Sequence, residues 1–166
     1  MAQVSEADLL RAASDGDNSI AVICAHIAGN LKSRFTDFLT TDGEKPWRQR
    51  DEEFEARRMS RAEIVADWNA GWTVLMASLE SLSDADLQNT VTIRRQPLLV
   101  HEALHRSLAH TAYHVGQIVY LAKSMRGDGF RSLSIPRGQS DAYNRNPAAE
   151  RGAARGENPA GRRDDK

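Results

Sequence analysis

Four of the five histidines in this 166-residue chain lie in one short segment of the sequence. They form two His-x-x-x-His pairs, His101 with His105 and His110 with His114. In a helix, residues four apart lie on one face, where two imidazoles can bind the same metal ion. His105 lies about 140° around the helix from His110 and about 180° from His114. The two pairs therefore do not readily share one metal ion.

The first pair spells His-Glu-x-x-His, the pattern of zinc metalloproteases in which the glutamate is the general base. Three observations disfavour this role for Glu102. Pro97 places His101 at the exposed start of its helix, no third histidine follows at the spacing of related proteases, and the upstream sequence looks helical. We interpret His101 and His105 as residues of an exposed helix start, and a metalloprotease as the disfavoured alternative.

The second pair lies deeper in the same helix and needs a third ligand, because two imidazoles alone bind a metal weakly. The remaining histidine is His26, in the middle of the second helix. Helical wheels place His26, His110 and His114 beside the apolar stripes of their helices. These positions suit a metal site at a seam between two helices. A hydrogen-bonded seam histidine is the alternative interpretation of His26.

The apolar spacing predicts an all-α fold with four principal helices. A short first helix spans about 6–14, the second spans about 18–40, the third starts at the Ser60/Glu63 capping box and reaches about 82, and the fourth runs from just after Pro97 to about Met125. A long loop covers 41–59, onto which Trp47 and Phe54 would pack. The alternating residues 90–93 allow two short strands between the third and fourth helices. Residues 1–137 are the expected domain, and the polar tail 138–166 is expected to be disordered.

The composition excludes several classes of function. Lys and Arg number 22 against 23 Asp and Glu, so no net field favours nucleic acid or an anionic membrane. No apolar run approaches the roughly 20 residues that a membrane span needs. The single cysteine, Cys24, cannot form an internal disulfide and reads as a small core residue, and the polar N-terminus does not resemble a signal peptide. The expected location is the cytoplasm.

Two motifs resemble the DinB-like superfamily. They are Ala-His-Ile-Ala-Gly-Asn at 25–30 and His-x-x-x-His-x-Gly-Gln-Ile from His110. The stretches FTDFLTTDGEKPW and TAYHVGQIVYLAK resemble one poorly characterised bacterial branch of this superfamily. The resemblance covers about 5–137. It implies an up-down-down-up four-helix bundle, usually dimeric, in which His26, His110 and His114 bind a divalent metal ion.

Three imidazoles leave a metal ion with open positions, as in catalytic sites, and all-nitrogen ligation suits zinc, nickel or iron. Some DinB-like proteins are thiol-dependent transferases, and others are thiol-dependent isomerases or metal-dependent hydrolases. The leading hypothesis is therefore a metal-dependent transferase, or a related detoxification enzyme or hydrolase, with a low-molecular-weight thiol activated towards an electrophilic substrate in the transferase case. The alternative is a non-catalytic metal-binding or dimerisation module, and a homodimer is expected in both cases.

Residues around the proposed ligands have possible supporting roles. Asn30, Tyr113 and Gln117 each lie about one turn from a proposed ligand and are candidates to orient it. The alternative interpretation is that they are ordinary polar residues at a helix seam. Loop 41–59 is either a substrate lid or a dimer contact. Its arginines favour a lid for a substrate with a carboxylate or phosphate; they are Arg48, Arg50, Arg57 and Arg58.

Overall fold

The computed structural model describes residues 1–55, 59–145 and 147, which form a mostly helical protein with one small two-stranded sheet. The chain divides into two compact units, Met1–Asp128 and Gly129–Lys166. The first unit contains the helices α1 (Glu6–Leu10), α2 (Ile20–Phe35), α3 (Arg61–Glu80) and α4 (Val100–Arg126), and the strands β1 (Thr90–Ile93) and β2 (Gln96–Leu99). Single 3-10 turns cover Asp51–Phe54 and Asp84–Gln88.

Helix α2 forms the centre of the first unit, and most of its side chains are buried. It begins at the Ser19 cap, whose hydroxyl accepts a hydrogen bond from the Val22 N–H. The predicted end near Thr40 was wrong, because the helix stops at Phe35. Asp37 adopts φ 48°, and its carbonyl accepts the N–H groups of Thr40 and Thr41 in a turn.

Helix α3 packs against α2 at a point where two backbones come unusually close. A Cβ on Gly71 would lie 2.8 Å from the Cα of Ala28. The predicted capping box starts the helix as expected, since the Ser60 hydroxyl accepts the Glu63 N–H and the Glu63 carboxylate accepts the Ser60 N–H. A Lys32–Asp67 ion pair also joins the two helices.

The two short strands form an antiparallel hairpin, in which Ile93 pairs with Gln96 and Thr90 with Leu99. The sequence pattern had allowed these strands, so the fold is mostly helical rather than strictly all-α. Both turn residues have positive φ, 55° at Arg94 and 62° at Arg95. The Asp42 carboxylate accepts both of their N–H groups, at 2.9 and 2.7 Å, which ties the hairpin turn to the loop after α2.

Helix α4 follows the hairpin directly and ends at Arg126, with Gly127 at φ 53° as its C-terminal cap. Both ends of the helix lie close to the predicted bounds. Over most of its length it is only partly covered, and its buried residues are Val100, Ala103 and Ala122. Helix α1 is shorter than the predicted 6–14, because the chain turns extended at Arg11.

The second unit contains one described helix, α5 (Ser140–Arg145). Residues 146 and 148–166 lie outside the described part of the chain, so the boundary at 137 and the disorder expected for 138–166 remain predictions. None of the helices in the described residues is both long and apolar enough to cross a membrane.

Candidate metal centre

Three histidine side chains meet between α2 and α4. His26 is buried on α2, and His110 and His114 lie one turn apart on α4, both partly buried. Their ligand nitrogens all lie within 4.8 Å of one another, and Nε2 of His26 is 3.1 Å from Nε2 of His110. Two nitrogens on one tetrahedral zinc ion are about 3.3 Å apart, given Zn–N bonds of about 2.0–2.1 Å. The distance between His26 and His110 is close to this value, while the three ligand nitrogens together lie within the wider limit of 4.8 Å.

The Glu53 carboxylate orients the deepest of these histidines. Nδ1 of His26 lies 2.8 Å from Oε2 of Glu53, to which its N–H donates. The same carboxylate accepts two hydrogen bonds from the Arg48 guanidinium, each 2.8 Å long. With its proton held at Nδ1, the His26 imidazole presents the Nε2 lone pair to His110 and His114, as a metal ligand must.

The close approach of Glu53 to α2 depends on a glycine. A Cβ on Gly29 would lie 2.3 Å from Oε1 of Glu53, so any larger residue would push the carboxylate away. The Phe54 ring packs on the His26 ring at 4.6 Å and covers it. Burial acts to raise the pKa of the Glu53 carboxyl, but its hydrogen bonds with His26 and Arg48 outweigh burial and lower the pKa below its ordinary value. The carboxylate therefore stays ionised at neutral pH.

Gln117 orients a second histidine of the cluster, His114. Its Oε1 lies 2.7 Å from Nδ1 of His114, which leaves Nε2 of that imidazole as the lone-pair nitrogen. Of the other two candidates, Asn30 lines the cavity beside the histidines. Tyr113 is 64% exposed, and its ring centroid is 5.0 Å from that of His114.

The two histidines of α4 have lowered pKa values, so protons compete less for their ring nitrogens at neutral pH. Burial lowers the pKa of His110 to about 4, with a further effect from the neighbouring His114 and His26. Burial also lowers the pKa of His114, although the Gln117 hydrogen bond opposes it. Both imidazoles are therefore neutral at pH 7 and available to bind a metal ion.

A cavity of about 210 Å³ lies beside His26 and His110. Arg48 and Arg50, from the loop predicted as a lid or dimer contact, are among its lining residues. Arg57 and Arg58 lie outside the described residues. The expected packing of Trp47 was wrong, because its side chain is 54% exposed, whereas Phe54 packs on His26.

The His-Glu-x-x-His residues have other partners. Nδ1 of His101 lies 3.1 Å from the Leu87 carbonyl, and the Glu102 carboxylate accepts the Leu99 N–H at the start of α4. His105 is exposed. Within the part of the chain that the structure describes, the three histidines above are the one group of at least three potential ligand side chains that converge.

The sequence analysis missed Glu53, which lies in an acidic run with no distinctive spacing. One signal was present: Gly29 interrupts a well-formed helix three residues after His26, and an isolated glycine in a helix often marks a close approach. The identity of the approaching group was not available from that signal.

Comparison with known proteins gives one family match. The family described as "Protein of unknown function (DUF1572)" matches residues 1–139. No curated protein and no solved structure matches the chain. Since the match spans most of the sequence, this chain belongs to the DUF1572 family.

Proposed function

We propose that His26, His110 and His114 bind one divalent metal ion, with zinc, nickel and iron as the candidates. The observation that carries this proposal is the convergence of three imidazoles from two helices, two of them with Nδ1 already engaged by Glu53 and Gln117. A direct hydrogen bond between Nε2 of His26 and Nε2 of His110, which are 3.1 Å apart, is the structural alternative that metal analysis must distinguish.

We propose further that the centre is catalytic and that the chain is a DinB-like four-helix bundle. When bound, a divalent ion would supply the Lewis acidity that makes a thiol or water nucleophilic at neutral pH. Glu53 and Gln117 would hold the imidazoles, and the adjoining cavity would admit substrate. The two histidine motifs resemble the DinB-like superfamily, some members of which are thiol-dependent transferases, and this supports a low-molecular-weight thiol as that nucleophile.

The thiol would have to come from outside the chain. Cys24 is 1% exposed, and burial raises the pKa of its thiol to about 11. It is therefore protonated at neutral pH and packed in the core, so the chain's own cysteine is a poor nucleophile.

Metal analysis of three purified proteins tests the site. Wild type is expected to hold one metal ion per chain after dialysis, and His114→Ala is expected to lose it. His105→Ala is the matched control, because His105 lies on the same helix but is exposed and apart from the cluster. Full metal retention in His114→Ala would overturn the three-histidine site.

Thiol consumption tests the reaction. The metal-loaded protein is incubated with low-molecular-weight thiols and a panel of electrophiles, and wild type and His105→Ala are expected to turn over while His114→Ala is not. Stoichiometric metal without any thiol turnover would favour the second candidate, a non-catalytic metal-binding or dimerisation module.

The outer face of α4 favours a homodimer under either candidate. Tyr113 and Tyr120, seven residues apart on one helical face, are 64% and 73% exposed. Exposed aromatic side chains of this kind are enriched at protein interfaces. Light scattering should give the mass of a dimer for wild type and a shift towards monomer for Tyr120→Glu. A wild-type monomer mass would contradict this proposal.

A further inference from the structure

Five arginines from four parts of the chain surround the cavity beside the histidines. Helix α2, the loop before the first 3-10 turn, the hairpin turn and α4 contribute Arg34, Arg48, Arg50, Arg94 and Arg106. No carboxylate side chain is found among the described residues that line this cavity. Such a concentration of guanidinium groups around one small space attracts negative charge into it.

The nearby carboxylates balance these charges only in part. One oxygen of Glu44 accepts from both Arg34, at 3.1 Å, and Arg94, at 2.8 Å. Asp51 is 99% exposed and 3.3 Å from Arg50, so water screens this pair strongly. In the described part of the chain, the ion pairs thus set three carboxylates, with Glu53 as the third, against the five arginines of the cavity.

Arg106 and Arg48 retain unused capacity for hydrogen bonding. Arg106 is exposed on α4 and has no ion-pair partner among the described residues. The Arg48 side chain is 1% exposed, and its Nη1 is buried with no hydrogen-bond partner in the described part of the chain. A buried guanidinium nitrogen is rarely left unpaired, because it loses its hydration without compensation. An oxyanion in the cavity would provide the missing acceptor.

The loop after α2 holds two of these arginines in place. The Gly43 carbonyl accepts from Nη1 of Arg34, and the Asp42 carboxylate accepts the backbone N–H of Arg94. The Arg94 backbone is kept at positive φ, which is uncommon for a residue with a side chain. The Arg34 guanidinium and the Arg94 backbone are therefore held by the fold before any ligand enters, which lowers the entropic cost of binding.

We propose that this cavity binds the carboxylate or phosphate group of a small organic anion. That the anion is a substrate of the metal centre rests on the proposed function. That the cavity binds an anion depends only on the arginines. The anionic group would pair with the guanidiniums, with the remainder of the molecule placed towards His26 and His110.

Titration of metal-free full-length protein tests the inference. Inorganic phosphate and succinate are the two probes, at constant ionic strength, with neutral succinamide as the matched control, and binding is followed by calorimetry and by amide chemical shifts. At least one anion is expected to saturate the protein, and the preferred anion identifies phosphate or carboxylate as the group bound. Saturation by neither anion, or equal binding of succinamide, would overturn the inference.

Three arginine variants locate the site. Arg94→Gln and Arg106→Gln are each expected to weaken anion binding about tenfold, as the loss of one charge-assisted hydrogen bond implies. Arg95→Gln is the control, because Arg95 occupies the same turn with the same charge and positive φ but does not line the cavity. Melting curves confirm that the variants fold. An equal loss in Arg95→Gln would show general charge attraction and overturn the site.

His114→Ala separates this inference from the proposed function. If the variant loses metal but binds the anion as wild type does, the anion site is supported independently of the metal. If wild type holds metal but binds neither anion, the anion site is refuted and the metal centre stands.

Discussion

At the scale of single residues, Glu53 links the candidate metal centre to a buried arginine. Its carboxylate accepts from His26 and from Arg48, both of which are buried. The three side chains form one polar group inside the protein, in which each member compensates the burial of another. A change at Glu53 should therefore affect both ligand orientation and stability.

Glu53→Gln is expected to lower zinc affinity about 10–100-fold, because the neutral amide orients His26 less firmly. It should also lower the free energy of unfolding by about 3 kcal/mol, because Arg48 is left buried without its opposite charge. Chelator competition measures the first effect and urea unfolding the second. Asp51→Asn, a change in the same turn at a 99% exposed side chain, should alter neither. Unchanged zinc affinity in Glu53→Gln would contradict the orienting role.

At the scale of elements, two helix glycines have opposite surroundings. A Cβ at Gly71 of α3 would press on the backbone of Ala28, whereas a Cβ at Gly116 of α4 would meet nothing within 4 Å. Gly71 therefore allows α2 and α3 to pack closely. Gly116 makes no such contact and only lowers the stability of its own helix.

Gly71→Ala is expected to lower the free energy of unfolding by about 1–3 kcal/mol, because α2 and α3 must move apart. Gly116→Ala should raise it by about 0.5–1 kcal/mol, because alanine loses less backbone entropy in a helix. Urea unfolding of both variants tests the pair. Destabilisation by Gly116→Ala would mean that a second chain covers this face of α4, which would itself support the homodimer.

The hairpin turn is the element whose stability should depend on acidity. Burial acts to raise the pKa of Asp42, but the N–H groups of Glu44, Arg95 and Arg94 lower it to about 2. Because the pKa is lower in the folded protein than in the unfolded chain, the Asp42 contribution is present above about pH 4 and is lost as the pH falls towards about 2.

The difference in melting temperature between wild type and Asp42→Asn should therefore be largest near neutral pH and shrink below about pH 4. Thermal melts between about pH 7 and about pH 2 measure it. A difference that stays constant over this range would show that the Asp42 charge does not hold the turn.

At the scale of the whole molecule, the proposed metal would join residues far apart in the chain. His26 and His110 are separated by 84 positions and lie on different helices. A ligand that binds only the folded chain stabilises it by mass action, by about 2.7 kcal/mol at a free concentration 100 times its Kd. The metal should therefore affect the stability of the whole first unit.

Zinc at a free concentration about 100 times its Kd is expected to raise the melting temperature by about 5–10 °C, given the usual shift per kcal/mol for a chain of this size. Calorimetry with zinc and with a chelator measures this. His105→Ala should show the same rise as wild type and His114→Ala none. An equal rise in His114→Ala would place the stabilising metal elsewhere.

What the sequence alone determined about this protein is local. The capping box at Ser60, the glycine stop at Gly127, the alternating residues of the hairpin and the shared face of His110 and His114 all follow from spacings within one or two turns. These features could be predicted because short-range backbone geometry repeats with a known period. The helical spacing also separated His110 and His114 from the protease-like pair.

Only the tertiary structure decided which distant groups meet. Spacing along the chain does not encode the approach of Glu53 to His26 past Gly29, the gathering of arginines from four segments around one cavity, or the end of α2 at Phe35. Helical spacing allowed His26 to meet the histidines of α4 but did not require it, and the family resemblance supplied the rest of that expectation. Contacts of this kind depend on how helices pack and where loops return, which local periodicity leaves open.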